Sequence, residues 1–483
     1  MKEVILLILF LFTACTVGPD FKRPGLPKFT KYSSQEDPEK TVDANGDSQS
    51  VVRTSTIPLN WWQLFHQKKL DPIVQKVLQG NQTLKVALAN LEQSQNNLRA
   101  GYGVFYPQVS AGFSGAHQKS NPAALGGQFP SKIFDILTLS GTVSYALDIF
   151  GGQRREVEGL RAQVDYKHYL VFASYLTLTG NALNTIVAKA AYEDQIEATK
   201  EILAKMREQI VITKSLVKAG TLTYSALLSI QGQYSAIEAT VPALEQKVSQ
   251  ANNLLAVLSG KAPAEWEGVE RIKLSELTLP KNLPVTLPSD LVRQRPDILA
   301  SEAELHVASA EIGVATAALY PSFNLTGTFG VTKNSISGLV GTKNDFWNIG
   351  GGITAPIFEG GSLRAKRDGA KNAYEAALAN YRQTTLNAFA QVADTLRAIE
   401  ADALIVKSQT DALNSSKAAL ELLQVSYKSG LSTYLEVLTA DIQYQQIKLN
   451  HIQGIGQRLQ DSIALFTALG GGWIQNTKVV DKK

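Results

Sequence analysis

Few side chains in this sequence have a type and spacing suited to covalent or metal chemistry. It has one cysteine, Cys15, and five histidines (His66, His117, His168, His306 and His451) that stand far apart, with no HExxH pair. A single thiol excludes a disulfide framework and a cysteine-based zinc cage. No nucleophile elbow or P-loop appears, and glycines such as Gly327 and Gly330 suit a permissive strand better than a phosphate cradle. The expectation is therefore a protein that is not an enzyme and holds no metal or cofactor. What remains is Cys15, and its position gives it meaning. It closes an apolar run from Val4 to Phe12 that follows Met1-Lys2-Glu3 and leads into Thr13-Ala14. An apolar core of about ten residues is a secretory signal, and it falls short of the roughly twenty residues that span a bilayer.

Leu11-Phe12-Thr13-Ala14-Cys15 resembles a bacterial lipoprotein cleavage site, with Phe12 a less usual occupant of its position. The resemblance implies that residues 1–14 are removed and that Cys15 then carries covalent lipid. The alternative is a buried free cysteine beside an ordinary cleavage site. In enterobacterial lipoproteins an Asp after the cysteine retains the protein at the inner membrane; Thr16 stands here, which points to the outer membrane. Residues 15–58 are rich in Pro, Ser, Asp and Lys, show no period, and read as a lipidated tether with little structure of its own.

The elements that must position these groups are legible from composition and pattern. At 483 residues, with 44% apolar and 19% charged, the chain has ample material for packed domains and is not disordered. Forty-seven basic against 43 acidic residues leave +4, too balanced for a nucleic-acid partner bound by phosphate neutralisation. After the signal no run reaches about eighteen consecutive apolar residues, so any membrane crossing must be made by strands.

The sequence also repeats itself at an offset of about 210 residues. Phe105-Tyr106-Pro107 matches Leu319-Tyr320-Pro321, Ile149-Phe150-Gly151-Gly152 matches Ile357-Phe358-Glu359-Gly360-Gly361, and Ala219-Gly220-Thr221-Leu222-Thr223-Tyr224 matches Ser429-Gly430-Leu431-Ser432-Thr433-Tyr434. The first structural repeat is expected over 59–260, with strands near 107–118 and 136–149 and a long hairpin near 152–258. A connector follows at 261–295. The second repeat covers 296–471, with strands near 321–332 and 346–358 and a hairpin near 362–469, ahead of a C-terminal tail at 472–483.

The strands alternate. Leu137, Leu139, Gly141, Val143, Tyr145, Leu147 and Ile149 share one face, with Thr138, Ser140, Thr142, Ser144, Ala146 and Asp148 on the other. This is the pattern of a transmembrane β-barrel, although a soluble sheet over a core alternates in the same way. Aromatic residues near strand ends (Tyr106, Tyr320, Phe346, Trp347) suit a membrane-interface girdle and favour the barrel. Four strands cannot close one, because bacterial membrane barrels have at least about eight and an open edge in lipid leaves backbone groups unpaired. Identical copies must complete the wall. The strand count alone permits a dimer or a trimer.

Two proline-free spans, 152–218 and 362–428, are each 67 residues, roughly 100 Å of helix. Helices of that length need a neighbour to pack along. After Gly430 the positions Leu431, Leu435, Leu438, Ile442, Gln445, Leu449, Ile452, Gly456, Leu459, Ile463 and Phe466 step by four and three, a heptad seam. After Gly220 the seam runs Ile230, Tyr234, Ile237, Val241, Leu244, Val248, Ala251, Leu255, Leu258, with Pro242 expected to bend that helix or remove a hydrogen bond. The turns at Gly220 and Gly430 combine a helix C-cap with Ser/Thr N-caps.

Cys15-Thr16-Val17-Gly18-Pro19-Asp20-Phe21-Lys22-Arg23-Pro24, Val241-Pro242-Ala243-Leu244-Glu245 and Leu287-Pro288-Ser289-Asp290-Leu291-Val292-Arg293-Gln294-Arg295-Pro296-Asp297-Ile298 resemble the TolC-type outer-membrane efflux proteins, in their lipidated OprM-like (NodT) branch. The resemblance covers Cys15 to about Gly471. It implies an internally duplicated α+β membrane protein: a homotrimeric duct, each protomer giving four transmembrane strands to a shared twelve-stranded barrel, continued by a long α-helical coiled-coil tunnel in the periplasm. It implies an equatorial belt from segments near 59–80, 260–295 and the tail. The implied role is the exit duct of a tripartite efflux system, passing small molecules from an inner-membrane pump of RND type and a periplasmic membrane-fusion adapter; a type I protein-secretion exporter is the alternative. The family's gate combines apolar and acidic residues beyond the second tip. Leu435 matches the apolar position, Thr439 stands where the acid is expected, and Glu436 and Asp441 are the nearby carboxylates. Both also suit plain solvated charges. Gly220, Tyr224, Gly430 and Tyr434 are the implied adapter contacts, and turn geometry alone would explain them too. Arg154, Arg155, Arg364, Lys366 and Arg367 read as ordinary interfacial charge.

Overall fold

The computed structural model describes residues 16–473 apart from 45, 55–56, 121–129 and 336–344, so Cys15, the signal segment and residues 474–483 lie outside the described residues. Two compact units emerge, and each draws on both halves of the duplicated sequence. One comprises the residues up to Pro24, Leu91–Lys167 and Ser301–Tyr381; the other comprises Gly25–Asn90, His168–Ala300 and the chain from Arg382 onward. The sequence repeats are thus not the packing units, because strands from both halves are needed to build one sheet.

In the first unit the strands β2 (Gln108–Ser120), β3 (Lys132–Leu147), β5 (Ser322–Lys333) and β6 (Asp345–Thr354) form one antiparallel sheet in the order β2-β3-β5-β6. β1 (Ser50–Arg53) belongs to the second unit. The register aligns the alternation of all four strands. Val109 faces Val143, Phe113 faces Leu139, Gly141 faces Phe329 and Phe329 faces Trp347. On the opposite face Ser110, Thr142, Thr328 and Asn348 line up, with the Thr142 and Thr328 hydroxyls 3.4 Å apart. The apolar face is open: Val109 is 75% exposed, Phe113 62% and Ile349 80%. β6 stops at Thr354, short of the expected 358, since Pro356 offers no N–H to the ladder. Among the described residues β2 and β6 each pair along one side only.

Where β3 ends, Asp148 accepts hydrogen bonds from the Gln153 and Arg154 amides (3.1 and 3.0 Å) and starts α3 (Gly152–Lys218). Arg154 folds back on the same carboxylate at 3.0 Å. Residues 16–24 are strapped across this junction. Val17 N–H donates to the Phe150 carbonyl at 3.1 Å, and Arg155, 4% exposed, reaches the Val17 and Gly18 carbonyls and the Asp20 carboxylate. Arg155 also pairs with Glu158 (2.7 Å), Glu158 with His306 (2.9 Å), and the Phe21 ring stacks on His306 at 4.2 Å. His306 lies on α7 (Pro296–Ala317), whose Gly313 leaves room for the Arg155 side chain, while Gly18 lets the strap lie against the Gly313 backbone.

The second unit corrects the reading of 15–58 as a tether with little structure. β1 runs parallel to β4 (Asn282–Val285), Tyr32 donates to the Thr286 carbonyl at 2.8 Å, and Gln49 is wholly buried. Aromatic packing drives this, with Phe29 edge-on to Phe389 at 5.2 Å. Farther on, Trp61 stacks on Phe466 at 5.1 Å beside α1 (Leu70–Gly80), and Phe172, Leu299 and Trp473 form a separate buried cluster. α2 (Gln82–Gly101) leads out of this unit. The connector holds α6 (Pro288–Gln294); at its end Arg295 donates to the Ala468 carbonyl at 2.8 Å and to Gln391.

The long spans are helical throughout, α3 and α8 (Ser362–Lys428). The most apolar stretch of α3 has mean hydropathy 1.3 and is 56% buried within the fold, the mark of a packed core helix. The returns differ. In the first, Pro242 sits just after a break that separates α4 (Tyr224–Glu238) from α5 (Thr240–Leu258), where Thr240 donates its hydroxyl to the Ile237 carbonyl. In the second, α9 (Tyr434–Ala468) is unbroken. On α9 the seam positions Leu438, Gln445, Gly456, Leu459, Ile463 and Phe466 are buried. Leu431 is not part of it: it lies in the turn ahead of the helix and is 83% exposed.

Candidate functional site

Both hairpins close through the same C-terminal turn. Gly220 N–H donates to the Val217 carbonyl and Thr221 N–H to Leu216; Gly430 N–H donates to Tyr427 and Leu431 N–H to Ser426, all at 2.9–3.0 Å. These are Schellman pairs, and each glycine takes φ +77°, which a side chain would resist. The starts of the returning helices differ. Thr433 accepts a hydrogen bond from Glu436 N–H at 3.3 Å, while the Glu436 carboxylate accepts from Thr433 N–H at 2.7 Å. Thr223 makes no such bond and instead meets the Ser225 hydroxyl at 3.0 Å. Position 226, equivalent to Glu436, is alanine.

From its first turn α9 is tied to α3 by an antiparallel ladder of polar contacts. The Tyr434 phenol donates to Glu208 at 3.1 Å, Gln209 donates to the Thr439 hydroxyl at 3.2 Å, and Lys205 lies 4.0 Å from the Asp441 carboxylate. Lys448 pairs with Glu201 at 2.7 Å, and Gln453 donates to Gln195 at 3.2 Å. Partial burial and the Glu208 carboxylate both push the Tyr434 phenol above its usual range. α3 also holds the first hairpin, through Arg207 to the Tyr234 phenol at 2.8 Å and Lys200 to Glu245 at 3.6 Å.

Against this geometry the sequence-derived residues separate. Leu435 is half-buried, its carbonyl accepting from the Thr439 hydroxyl at 2.9 Å. Glu436 is exposed and its carboxylate caps the helix. Asp441 is turned toward Lys205 and Gln445. Tyr224 is 64% exposed, whereas Tyr434 packs its ring 5.3 Å from Tyr427. Gly220 and Gly430 are exposed at the two turns. Sequence reasoning missed the α3 partners Glu201, Lys205, Glu208 and Gln209. Their spacing of four, three and one on a helix was a visible polar stripe, but nothing in it named α9 as the partner.

A sheet with two open edges and one exposed apolar face, carried on hairpins of this length, defines an outer-membrane channel subunit of α+β, TolC-like fold. The chain belongs to the outer membrane efflux protein family, whose profile matches residues 73–261 and 287–471. It is 25% identical over 478 residues to the probable outer membrane lipoprotein SilC of Salmonella typhimurium, covering 98% of this chain and 99% of that protein. It is 26% identical over 465 residues to the cation efflux system protein CusC of Escherichia coli, covering 96% and 97%. Among solved structures, the outer-membrane channel OprN superposes with TM-score 0.84 at 26% identity, over 95% of this chain and 100% of that one. The protein is an outer-membrane efflux channel.

Proposed function

We propose that three copies of this chain close one twelve-stranded barrel and serve as the exit duct of a tripartite efflux system for small molecules. One observation carries this: β2 and β6 are unpaired along one side, while the register keeps a single apolar face across all four strands. In lipid each unpaired backbone group costs several kcal/mol, so the edges must meet those of other copies. The duct takes its cargo from a periplasmic membrane-fusion adapter and an inner-membrane pump of RND type, and it does no chemistry on what passes. The exposed Tyr224, Gly220 and Gly430 suit adapter contact, with Tyr434 set back against α3. Leu435 narrows the channel at the second tip; Thr439 and Asp441 hold that tip to α3, and Glu436 caps α9. Acylation of Cys15 is supported by its neighbour Thr16, which packs against Gly151 at the foot of β3, where a lipid chain would enter the adjoining leaflet.

Cysteines placed along the two edges test the assembly. Ser110→Cys on β2, combined with Asn348→Cys or Thr354→Cys on β6, is expected to give oxidant-dependent covalent trimers in outer membranes. Covalent dimers alone, or monomers across the whole panel, would refute the trimeric wall.

A further inference from the structure

Within the second unit, α8 and α9 share a cavity of about 320 Å³ with the connector and the N-terminal segment. Leu274, Leu277 and Leu279 of the connector, Val406 on α8, and Ile455 and Leu459 on α9 give it an apolar wall. All of these except Ile455 are buried.

One cation stands in this wall. Arg458 on α9 lines the cavity and is only 1% exposed. A guanidinium carries only donors. Nη2 lies 3.2 Å from the Asp47 carbonyl and 3.5 Å from the Thr41 hydroxyl, whereas Nε is buried and meets no acceptor among the described residues. Burial pulls Arg458 below its usual range, and Asp47, Asp402 and Asp43 oppose this without forming an ion pair with it. A buried cation in that position is costly until an acceptor, and best an anion, meets it.

The carboxylates that line the cavity do not fill the role. Asp194 on α3 is held by Arg271 at 3.1 Å and by the Leu274 amide at 3.1 Å. Asp47 meets Arg458 through its carbonyl rather than its carboxylate, and its backbone is closed on Ala44 by hydrogen bonds of 3.1 and 3.2 Å. Water is a poor substitute, because it needs about two to four polar partners and most of the wall is apolar. An apolar space of roughly 300 Å³ or more with one well-placed polar group is instead how small-molecule sites are built.

We propose that this cavity binds a small amphiphilic carboxylate, whose head accepts a hydrogen bond from Arg458 Nε and whose apolar body lies against the connector leucines, Ile455 and Leu459. The occupant touches the N-terminal segment, the connector and both helices of the second hairpin together, so its binding steadies these segments against one another.

The full chain assembled in lipid nanodiscs tests this with phenylbutyrate as the probe and its neutral amide, phenylbutyramide, as the control, each corrected for uptake by protein-free discs. The carboxylate should bind saturably, one per subunit, raise the melting temperature and slow amide exchange in residues 41–50 and 274–280. The amide should bind wild type at least about tenfold more weakly, and Arg458→Gln should lose the carboxylate by a similar factor. In case that variant fails to assemble, two substitutions at less buried positions carry the test. Asp47→Asn lifts a repelling charge and should tighten carboxylate binding, while Ile455→Trp fills the cavity and should abolish it. Equal affinity for acid and amide, carboxylate affinity unmoved by these substitutions, or no saturable binding to wild type would overturn the site.

Discussion

The Tyr434 phenol donates a hydrogen bond to the Glu208 carboxylate at 3.1 Å, fastening the first turn of α9 to α3 about three turns before that helix ends. Glu208 is also reached by Lys205, which in turn approaches Asp441, so one short cluster secures the start of the second return.

Tyr434→Phe removes the phenol donor and leaves the ring on Tyr427. A hydrogen bond to a charged group at this partly exposed place contributes about 1 kcal/mol. The expected outcome is higher resting conductance in bilayers with little loss of thermal stability. Resting conductance equal to wild type would show that this bond does not hold the tip.

Thr433→Ala breaks the capping box and should destabilise α9 by about 1 kcal/mol. Thr223→Ala removes a hydroxyl that caps nothing, and its effect should be close to zero. Amide exchange at the first turns of α4 and α9 separates the two; equal acceleration at both would contradict the observed asymmetry.

Asp402, buried on α8, has its carboxyl pushed up to about 7, chiefly by that burial, and this fixes the sign of a pH effect on stability. In the unfolded chain Asp402 titrates near its ordinary 3.8, in the fold near about 7, so its favourable contribution is complete below the lower value. It is lost as pH rises through the window between them, at on the order of 1.4 kcal/mol per unit. Asp402→Asn should therefore raise the melting temperature above about pH 7, and have little effect near about pH 4. A wild-type melting temperature that climbs across this window, after correction by the variant, would contradict the assignment.

Arg155→Ala deletes the centre of the N-terminal strap, leaving the Val17 and Gly18 carbonyls without this donor and Glu158 with His306 alone. A loss of roughly 2 kcal/mol or more is expected from breaking a buried charged network. Limited proteolysis should then cut within residues 16–24 while the helices stay intact. Unaltered protection there would remove the strap from the structure's working parts.

The two sheet faces predict opposite responses to charge. Val143→Arg sets a cation on the apolar face, at a cost of about 2–4 kcal/mol near the bilayer midplane, and should abolish membrane assembly. Thr142→Lys, one residue away on the polar face, should assemble normally and shift ion selectivity toward anions. Reversed outcomes would exchange the lipid and lumen faces.

Much of this architecture was legible because its signals are local and occur twice. The bounds of α3 and α8 coincide with the proline-free spans, and the period-two alternation of β3 and β5 survives as two coherent faces. The strap and the packing of the N-terminal segment around Tyr32 and Glu36 were not legible. Their contacts join distant residues, as Tyr32 to Thr286 or Arg397 to the Glu36 carbonyl, and their composition resembles that of a linker. At the tip, Thr433-x-x-Glu436 was a readable capping box, but family resemblance drew attention to Glu436 as a gate charge instead. Asp402 gave no warning at all, since an acid on a long polar helix ordinarily faces water, yet here it is buried.

The unpaired margins of β2 and β6 also carry a genetic consequence. In the proposed three-copy barrel, a subunit defective along either margin would still offer a sound opposite one, so it would join intact companions and spoil the wall they would otherwise complete. Lesions there should behave as dominant negatives when both alleles are expressed together, whereas lesions that unfold the whole chain should be recessive.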